Sequence, residues 1–302
     1  MQIFQNLKNR YKDANVIFRV PLPKLESNKY TSLIKQELVN TKILLFLTVE
    51  ERNDKSLLLL EVDAKTGKVL GDFKLVDKIS HDYTSFGYSG ALDYYVVFSP
   101  DKSMAAFFSE IKRIKDDSRE IKEFHAMVKL YNMKKYTKLW EKPLISSHGN
   151  SIILIRDYVL TNDGFFYYTF DFLKNQKHYN KRQGISMTGE NPKRDQIYEL
   201  DNNTDTRTLL AGKVKLNLIG NKIFCTGFFV DGEQTDFLSA KAGCGFFLFV
   251  IDPKTFGIQK QNFSYTKDYI ETTNPDILTS LTAGPILEDE KGGVLLLKTQ
   301  TW

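Results

Sequence analysis

The chain has 302 residues, of which 42% are apolar and 26% charged, and this balance excludes bulk disorder. That length suits one large all-β domain or two smaller domains. The formal net charge of +5 is too small to indicate nucleic acid as a partner. Cys225 and Cys244 are the only cysteines, which excludes a disulfide framework and a thiolate metal cluster. One bridge between them is geometrically feasible, but we favour two free buried thiols.

No apolar run approaches the roughly 18 residues that a membrane-spanning helix needs, so we expect no membrane span. The N-terminal segment MQIFQNLKNRYKDA has no apolar core of the kind found in secretory signals. We therefore expect either a cytoplasmic protein or one whose export signal lies outside this chain.

Apolar, strand-like runs recur about every sixty residues and predict a repeat protein of the propeller or solenoid type. They begin at Leu44, Met104, Phe165, Ile223 and Val294. Each of the first four is followed by a partner run with an acid, an amide or a turn: SLLLLEVDAKTGK, AMVKLYNMKKY, QIYELDNNTDT and FFLFVIDPKTFG. Antiparallel strands joined by short turns resemble propeller blades.

The N-terminal part of the chain contains one clear group of strands. Residues 15–23 (NVIFRVPLP) predict a strand that Pro21 and Pro23 restrict to an edge or an end. The segment 31–40 (TSLIKQELVN) fits a weak helix or a loop. Residues 41–76 predict three antiparallel strands with tight connections.

Turn-forming residues separate the strand-like runs in the rest of the chain. The segments 99–102 (SPDK), 162–164 (NDG) and 252–254 (DPK) predict β-turns. The charged insertion at 111–123 fits a solvated hairpin tip or a short helix. The polar stretch at 174–195 is predicted to interrupt the third unit as a long, mobile loop.

The sequence therefore predicts an all-β fold, a β-propeller of antiparallel four-stranded blades, in a single domain over residues 1–302. About five blades are covered, and the ring is either incomplete or closed by the strand at 15–23. The predicted repeat units are 41–94, 95–150, 151–215, 216–280 and the incomplete unit 281–302. Alternation along strands buried on both faces predicts a set of largely buried side chains. These are Leu58, Leu60, Phe107, Phe108, Phe166, Tyr168, Phe247 and Phe249.

Six segments occur in a fixed order over about residues 95–302: FSPDKSMAAFF, YNMKKYTKLWEKPL, TNDGFFYYTFD, FCTGFFVDG, GCGFFLFVIDPKT and DEKGGVLLLKT. Their order resembles a family of uncharacterised, usually exported bacterial repeat proteins with β-propeller-like (WD40-like) domains. The resemblance implies an exported protein, periplasmic or at the cell surface, and a chain that continues beyond DEKGG. It therefore favours a fragment of a longer protein over a ring closed by residues 15–23. It implies no residue roles.

Patterns for catalysis and metal binding are weak throughout the chain. The four histidines lie far apart and lack metal-ligand spacing. Residues 201–205 begin like a calcium loop, but Thr206 and Gly212 stand where that loop needs Gly and Glu. No phosphate-binding, dinucleotide-binding or serine-nucleophile motif occurs. We predict no catalytic residue, no metal site and no cofactor.

The sharpest charge asymmetry lies at 174–194, where six basic residues face one acid, Glu190. Basic groups beside an aromatic ring can bind a polyanion or a phosphate-bearing ligand. The alternative is a solvated loop that binds nothing. The candidate anion-binding residues are Lys174, Lys177, His178, Tyr179, Lys181, Arg182, Lys193 and Arg194.

Architecture alone does not give a function. Our leading hypothesis is a non-enzymatic binding or scaffold module that presents loops to a protein or polysaccharide ligand. The rival hypothesis is a propeller-based enzyme that acts on carbohydrate or a related exported polymer. Inward-facing acids in a central funnel would favour the enzyme.

Overall fold

The computed structural model describes residue 20 and residues 30–51, 54–80, 94–115, 121–145, 152–173, 181–199, 208–231, 244–264, 281–288 and 294–300. These residues form eighteen β-strands and a 3-10 helix at Pro192–Arg194. Four antiparallel sheets of four strands and one two-stranded hairpin account for all of the strands.

Each sheet pairs its strands in chain order. The first sheet comprises β1 (Tyr30–Val39), β2 (Lys42–Glu51), β3 (Asp54–Asp63) and β4 (Lys74–Ser80). The second comprises β5 (Tyr94–Phe98), β6 (Met104–Lys115), β7 (Ile121–Asn132) and β8 (Thr137–Ile145). The third comprises β9 (Ile152–Leu160), β10 (Phe166–Leu173), β11 (Lys181–Thr188) and β12 (Gln196–Glu199). The fourth comprises β13 (Thr208–Ile219), β14 (Lys222–Asp231), β15 (Cys244–Ile251) and β16 (Ile258–Ser264). The hairpin comprises β17 (Leu281–Glu288) and β18 (Val294–Gln300).

This architecture confirms the predicted all-β fold class, because each sheet is a four-stranded antiparallel meander that resembles a propeller blade. The single domain over residues 1–302, its repeat units and the closure of a ring stay predictions. The strand predicted at 15–23 lies outside the described residues except for Val20, which packs against the core of the first sheet.

The segment 31–40 is mostly strand β1, so neither a helix nor a loop forms there. Pairing with the apolar strand β2 outweighs the weak helical propensity of this segment, and a bulge after Leu33 adjusts the register. In the charged insertion, residues 111–115 belong to β6 and residues 121–123 to β7. Both ends of that insertion are therefore strand, and residues 116–120 lie outside the described residues.

The prediction of one mobile loop over 174–194 was wrong for its second half. Lys181–Thr188 forms β11, which pairs with β10 on one side and β12 on the other. Ile185 and Met187 are fully buried. A strand with two partners and buried side chains is part of the fold and is not a mobile loop. Residues 174–180 lie outside the described residues.

The chain divides into two compact units, Met1–Val96 with Phe108–Lys112, and Val97–Phe107 with Arg113–Trp302. In the first unit, the first sheet buries a cluster of leucine and valine side chains. It also buries the carboxylate of Glu61, which forms ion pairs with Lys42 (2.7 Å) and Lys74. Paired in this way, a buried charge is tolerated in the sheet.

In the second unit, one face of the third sheet packs against one face of the fourth. The buried residues of this core are Tyr167, Ile185, Met187, Val214, Leu216, Ile223, Cys225, Phe247, Phe249, Ile251 and Phe256. Of the eight side chains predicted to be buried, seven are buried and Leu58 is half-buried. Cys225 is a free, buried thiol, as the sequence indicated for it.

Phe247 fills a space that a glycine creates. It lies opposite Gly227 in the ladder between β14 and β15. A Cβ atom on residue 227 would lie 2.5 Å from the ring of Phe247, so the ring covers the bare glycine backbone. The same ring packs against Phe249, with centroids 4.8 Å apart.

Replacing Phe247 with alanine should reduce the free energy of unfolding by about 3–5 kcal/mol, because it opens a cavity over Gly227. Urea unfolding measures this change. Leu248→Ala provides the control, since Leu248 is half-buried on the opposite face of the same strand, and it should cost less. A loss below about 1 kcal/mol for Phe247→Ala would show that this core does not hold the two sheets together.

A carboxylate also joins the first strands of the third and fourth sheets. Oδ2 of Asp157 in β9 accepts a hydrogen bond from the N–H of Leu216 in β13 (2.9 Å) and lies 3.7 Å from Nζ of Lys215. A bulge in β9 at Arg156 precedes it. Burial raises the pKa of Asp157, although the Leu216 N–H and the charge of Lys215 act in the opposite direction.

This raised pKa gives a pH prediction for Asp157→Asn. A folded-state pKa above the unfolded value means that the group stabilises the fold at low pH, and that this contribution is lost as the pH rises through the folded pKa. Asparagine does not titrate. The stability of Asp157→Asn relative to the parent should therefore increase between about pH 3 and about pH 7. Urea unfolding across this range measures it, and a difference that falls with pH would contradict the assignment.

Candidate functional site

All four sheets share one feature in the turn between their third and fourth strands. An aspartate or asparagine side chain accepts a hydrogen bond from the backbone N–H of a lysine two residues later, which is an Asx turn. The donor and acceptor residues are Lys65 and Asp63 (3.1 Å), Lys134 and Asn132 (3.0 Å), Lys193 and Asn191 (3.0 Å), and Lys254 and Asp252 (2.7 Å). The repeat therefore places a lysine at the third position of every such turn.

Three of these turns also place a residue in the left-handed region four positions after the Asx residue. These residues are Gly67 (φ 71°), Tyr136 (φ 53°) and Phe256 (φ 59°). Glycine adopts this conformation at no steric cost, whereas the two aromatic residues do not. Phe256 is held there because its ring is buried and stacks on Tyr167, with centroids 6.0 Å apart. Local hydrogen bonds and tertiary packing thus fix the same turn.

In the second unit, contacts connect the turns of the second and third sheets. The N–H of Met133, in the turn after β7, donates to the carbonyl of Ser103, in the turn before β6 (2.8 Å). The N–H of Asp101 donates to Oδ1 of Asn162, in the turn between β9 and β10 (3.1 Å). These turns therefore lie at the same end of their sheets.

Contacts of the same kind connect the third and fourth sheets. The guanidinium of Arg194 lies 4.4 Å from the ring centroid of Phe165 and donates to the carbonyl of Lys254 (3.3 Å). The hydroxyl of Tyr167 donates to the carbonyl of Pro253 (2.9 Å). We call this continuous set of turns the turn edge. It comprises residues 99–103, 133–136, 161–165, 189–195 and 252–257.

Two carboxylates of the turn edge, Asp195 and Asp101, accept hydrogen bonds from neighbouring side chains. Asp195 accepts hydrogen bonds from Nζ of Lys142 (2.9 Å) and from the hydroxyl of Thr188 (3.0 Å). Burial raises the pKa of Asp101, but hydrogen bonds from Ser99 and Ser103 outweigh burial and lower it. Asp101 is therefore an ionised structural group at neutral pH.

The lysines at the third position of the turns are exposed, and none forms an ion pair with a carboxylate among the described residues. Lysines in the strands behave differently, because many of them have a carboxylate partner. Those with such a partner are Lys35, Lys42, Lys55, Lys74, Lys78, Lys138, Lys142 and Lys215. The turn edge thus presents ammonium groups that remain available to a ligand.

The structure separates the basic residues that the sequence predicted as one anion site. Lys193 and Arg194 lie on the turn edge. Lys181 and Arg182 begin β11, whose far end lies about 20 Å along the strand. Lys174, Lys177, His178 and Tyr179 lie outside the described residues.

Sequence reasoning missed Lys134 and Lys254, which the turn edge does place at the same end of neighbouring sheets. The signal that could have found them is an Asp or Asn two residues before a lysine, repeated after the third strand of each sheet.

The other chemical candidates do not form a site among the described residues. No group of three or more His, Cys, Asp or Glu side chains there is placed to hold a metal ion. Burial raises the pKa of the Cys225 thiol well above its usual range, so it is a poor nucleophile. The acidic segment 201–205 lies outside the described residues. None of the helical segments within the described part of the chain has the length and hydropathy to cross a membrane.

No family model and no curated protein matches this chain. Solved structures that are similar to it include a mannose phosphorylase, MPT-4, from Leishmania mexicana, at 15% identity and a TM-score of 0.36, covering 89% of this chain and 78% of that one. The WD40 domain of SCAP from fission yeast has 11% identity and a TM-score of 0.25, with 88% and 71% covered. An acylaminoacyl peptidase from Pyrococcus horikoshii has 11% identity and a TM-score of 0.21, with 92% and 56% covered. At these scores the similarity concerns the fold alone.

Arg194 and Lys193 allow a matched test of the contacts at the turn edge. Arg194→Ala removes the cation–π contact with Phe165 and the hydrogen bond to Lys254, so it should reduce the free energy of unfolding by about 1–2 kcal/mol. Lys193→Ala removes a side chain without a described contact and should change stability by less than about 0.5 kcal/mol. Urea unfolding compares them. Equal effects would show that the contacts of Arg194 do not help to hold the third and fourth sheets together.

Proposed function

We propose that this chain is a non-enzymatic binding or scaffold module, and that the turn edge is its ligand-binding surface. The observation that carries the proposal is the Asx turn repeated in all four sheets, each with an exposed lysine at its third position. Loops and turns that are held on a rigid scaffold commonly carry binding residues.

The turn edge is ordered before any ligand arrives, which favours binding. Hydrogen bonds from Asp101 to Asn162 and from Arg194 to Lys254 fix neighbouring turns relative to one another. A surface that is already ordered loses little conformational freedom when it binds. The ligand on this proposal is a protein or a polymer long enough to reach several turns.

The rival proposal, an enzyme that acts on carbohydrate, needs two acids that face each other across a cleft. Two acids of the turn edge do not suit that role, because Asp195 is paired with Lys142 and Asp252 accepts the N–H groups of its own turn. We also propose that the chain belongs with the exported bacterial repeat proteins that it resembles. Support for that assignment is the order of sequence segments over residues 95–302.

The proposal can be tested by blocking the turn edge with a bulky group. Glu190 is an exposed residue at the turn edge, and Glu190→Cys would carry a maleimide-linked polyethylene glycol. Cys244→Ser in the same chain removes one competing thiol, and burial protects Cys225. Retention would be measured on immobilised dextran, mannan, heparin, polygalacturonate, poly-glutamate and single-stranded DNA. Release of reducing sugar from the polysaccharides would be followed in parallel.

We expect the parent protein to be retained on at least one probe without release of reducing sugar, and the polymer at residue 190 to reduce retention about tenfold. The control is the same polymer attached at Pro143→Cys, an exposed position on strand β8 about 20 Å along the strand from the turn at 133–136, which should leave retention within about twofold. Retention on no probe would overturn the binding module, sugar release would favour the enzyme, and equal effects at both positions would exclude the turn edge as the site.

A further inference from the structure

The third position of the turn is lysine in all four sheets, although its backbone geometry does not require a lysine. The hydrogen bond to the Asx side chain uses only the backbone N–H, which every residue except proline has. Lysine and arginine together make up 42 of the 302 residues, or about one in seven, so four basic residues at four equivalent positions are far more than composition predicts. A property of the side chain is therefore the better explanation.

The three lysines of this position that lie on the turn edge form no ion pair within the described structure. Lys134, Lys193 and Lys254 are exposed at the turn edge and have no ion-pair partner among the described residues. Lys138 and Lys142, on a strand in the same unit, are each paired with a carboxylate. Charged groups left available at equivalent places in successive sheets suit a ligand that itself carries negative charge at repeated intervals.

Two of the three aromatic side chains at the turn edge are covered, and the third, Tyr136, is half-buried. The ring of Phe165 is covered by the guanidinium of Arg194, and the ring of Phe256 is buried against Tyr167. Single-stranded nucleic acids depend on exposed rings for base stacking, and protein partners depend on apolar anchors. A carbohydrate polymer with anionic substituents needs neither of these features.

From these observations we infer that the turn edge binds an anionic polysaccharide, whose carboxylate or sulfate groups contact the ammonium groups of Lys134, Lys193 and Lys254. The inference rests on the proposed function and names its ligand class. Each contact releases counterions from the polymer, so binding must weaken as salt is added. Lysine suits this role because its mobile side chain can follow anionic groups whose spacing varies along a polymer.

The test removes the three charges together, in the variant Lys134→Gln, Lys193→Gln and Lys254→Gln. Dissociation constants for heparin and polygalacturonate would be measured between about 50 and 200 mM salt, a range over which several charge contacts change affinity strongly. We expect the variant to bind at least about tenfold more weakly at the lowest salt, and its log–log salt slope to fall by about 2–3. Comparison of the two polymers shows whether sulfate or carboxylate is preferred.

Two matched variants control for net charge and for side-chain shape. The variant Lys35→Gln, Lys78→Gln and Lys138→Gln removes three strand lysines. It should bind within about twofold of the parent, because each of these ammonium groups is already paired with a carboxylate, and it should stay folded, because surface ion pairs contribute little to stability. Arginine at the three turn positions keeps the charge and should keep the salt slope. Melting temperatures verify that each variant is folded.

If the turn variant and the strand variant weaken polymer binding equally, net charge alone explains the effect and the inference is overturned. Tighter binding to single-stranded DNA or poly-glutamate than to both anionic polysaccharides would overturn the ligand class. A third outcome is retention on dextran or mannan that is blocked by polyethylene glycol at residue 190 but is unchanged in the glutamine variant. That outcome would support the binding module and overturn this inference.

Discussion

The apolar face that the third and fourth sheets bury against each other is the interaction on which the rest of the second unit depends. A four-stranded sheet cannot bury its own apolar face, so it needs a neighbour against which that face packs. The contact extends from Asp157 and Leu216 in the first strands to Tyr198 and Lys260 in the fourth, where the Lys260 ammonium lies 4.8 Å from the Tyr198 ring centroid. Packing across the whole width of both sheets fixes their relative position.

The geometry of the turn edge follows from that packing. Phe256 takes a left-handed backbone conformation that is unfavourable for an aromatic residue, and stacking on Tyr167 in the neighbouring sheet compensates for it. The Tyr167 hydroxyl then holds the carbonyl of Pro253 in the same turn. An Asx side chain alone could form such a turn in a flexible chain, but these contacts fix its orientation. The position of Lys254 is therefore a property of two sheets and not of one turn.

Sequence periodicity predicted the four-stranded blades because apolar strands and turn residues alternate in most of the chain. It failed at β11, where Gln183, Gly184 and Ser186 interrupt the apolar pattern and basic residues flank the strand on both sides. Gly184 is needed there, since a Cβ atom at this position would collide with the ring of Phe170 in β10. A strand whose sequence is adapted to a neighbouring ring has too few apolar residues to be recognised alone. The sequence pattern consequently paired the run that begins at Phe165 with QIYEL, as if QIYEL were the next strand of the unit. In the structure β11 lies between them, and Gln196–Glu199 is the fourth strand.

Local sequence patterns also failed to predict the candidate site. The anion site was predicted from the density of basic residues at 174–194. Such a density fixes no geometry, and strand β11 within this segment separates Lys181 and Arg182 from Lys193 and Arg194. Arg194 gains a defined setting by stacking on Phe165 and by donating to the carbonyl of Lys254, which is about sixty residues away in the sequence. In a repeat protein, a single residue that recurs at one position of each repeat builds a surface more reliably than a local cluster, because stacking brings equivalent positions together. For this chain, the spacing of Asx and lysine across repeats therefore predicts which basic residues lie at the same end of neighbouring sheets better than the local density of charge does.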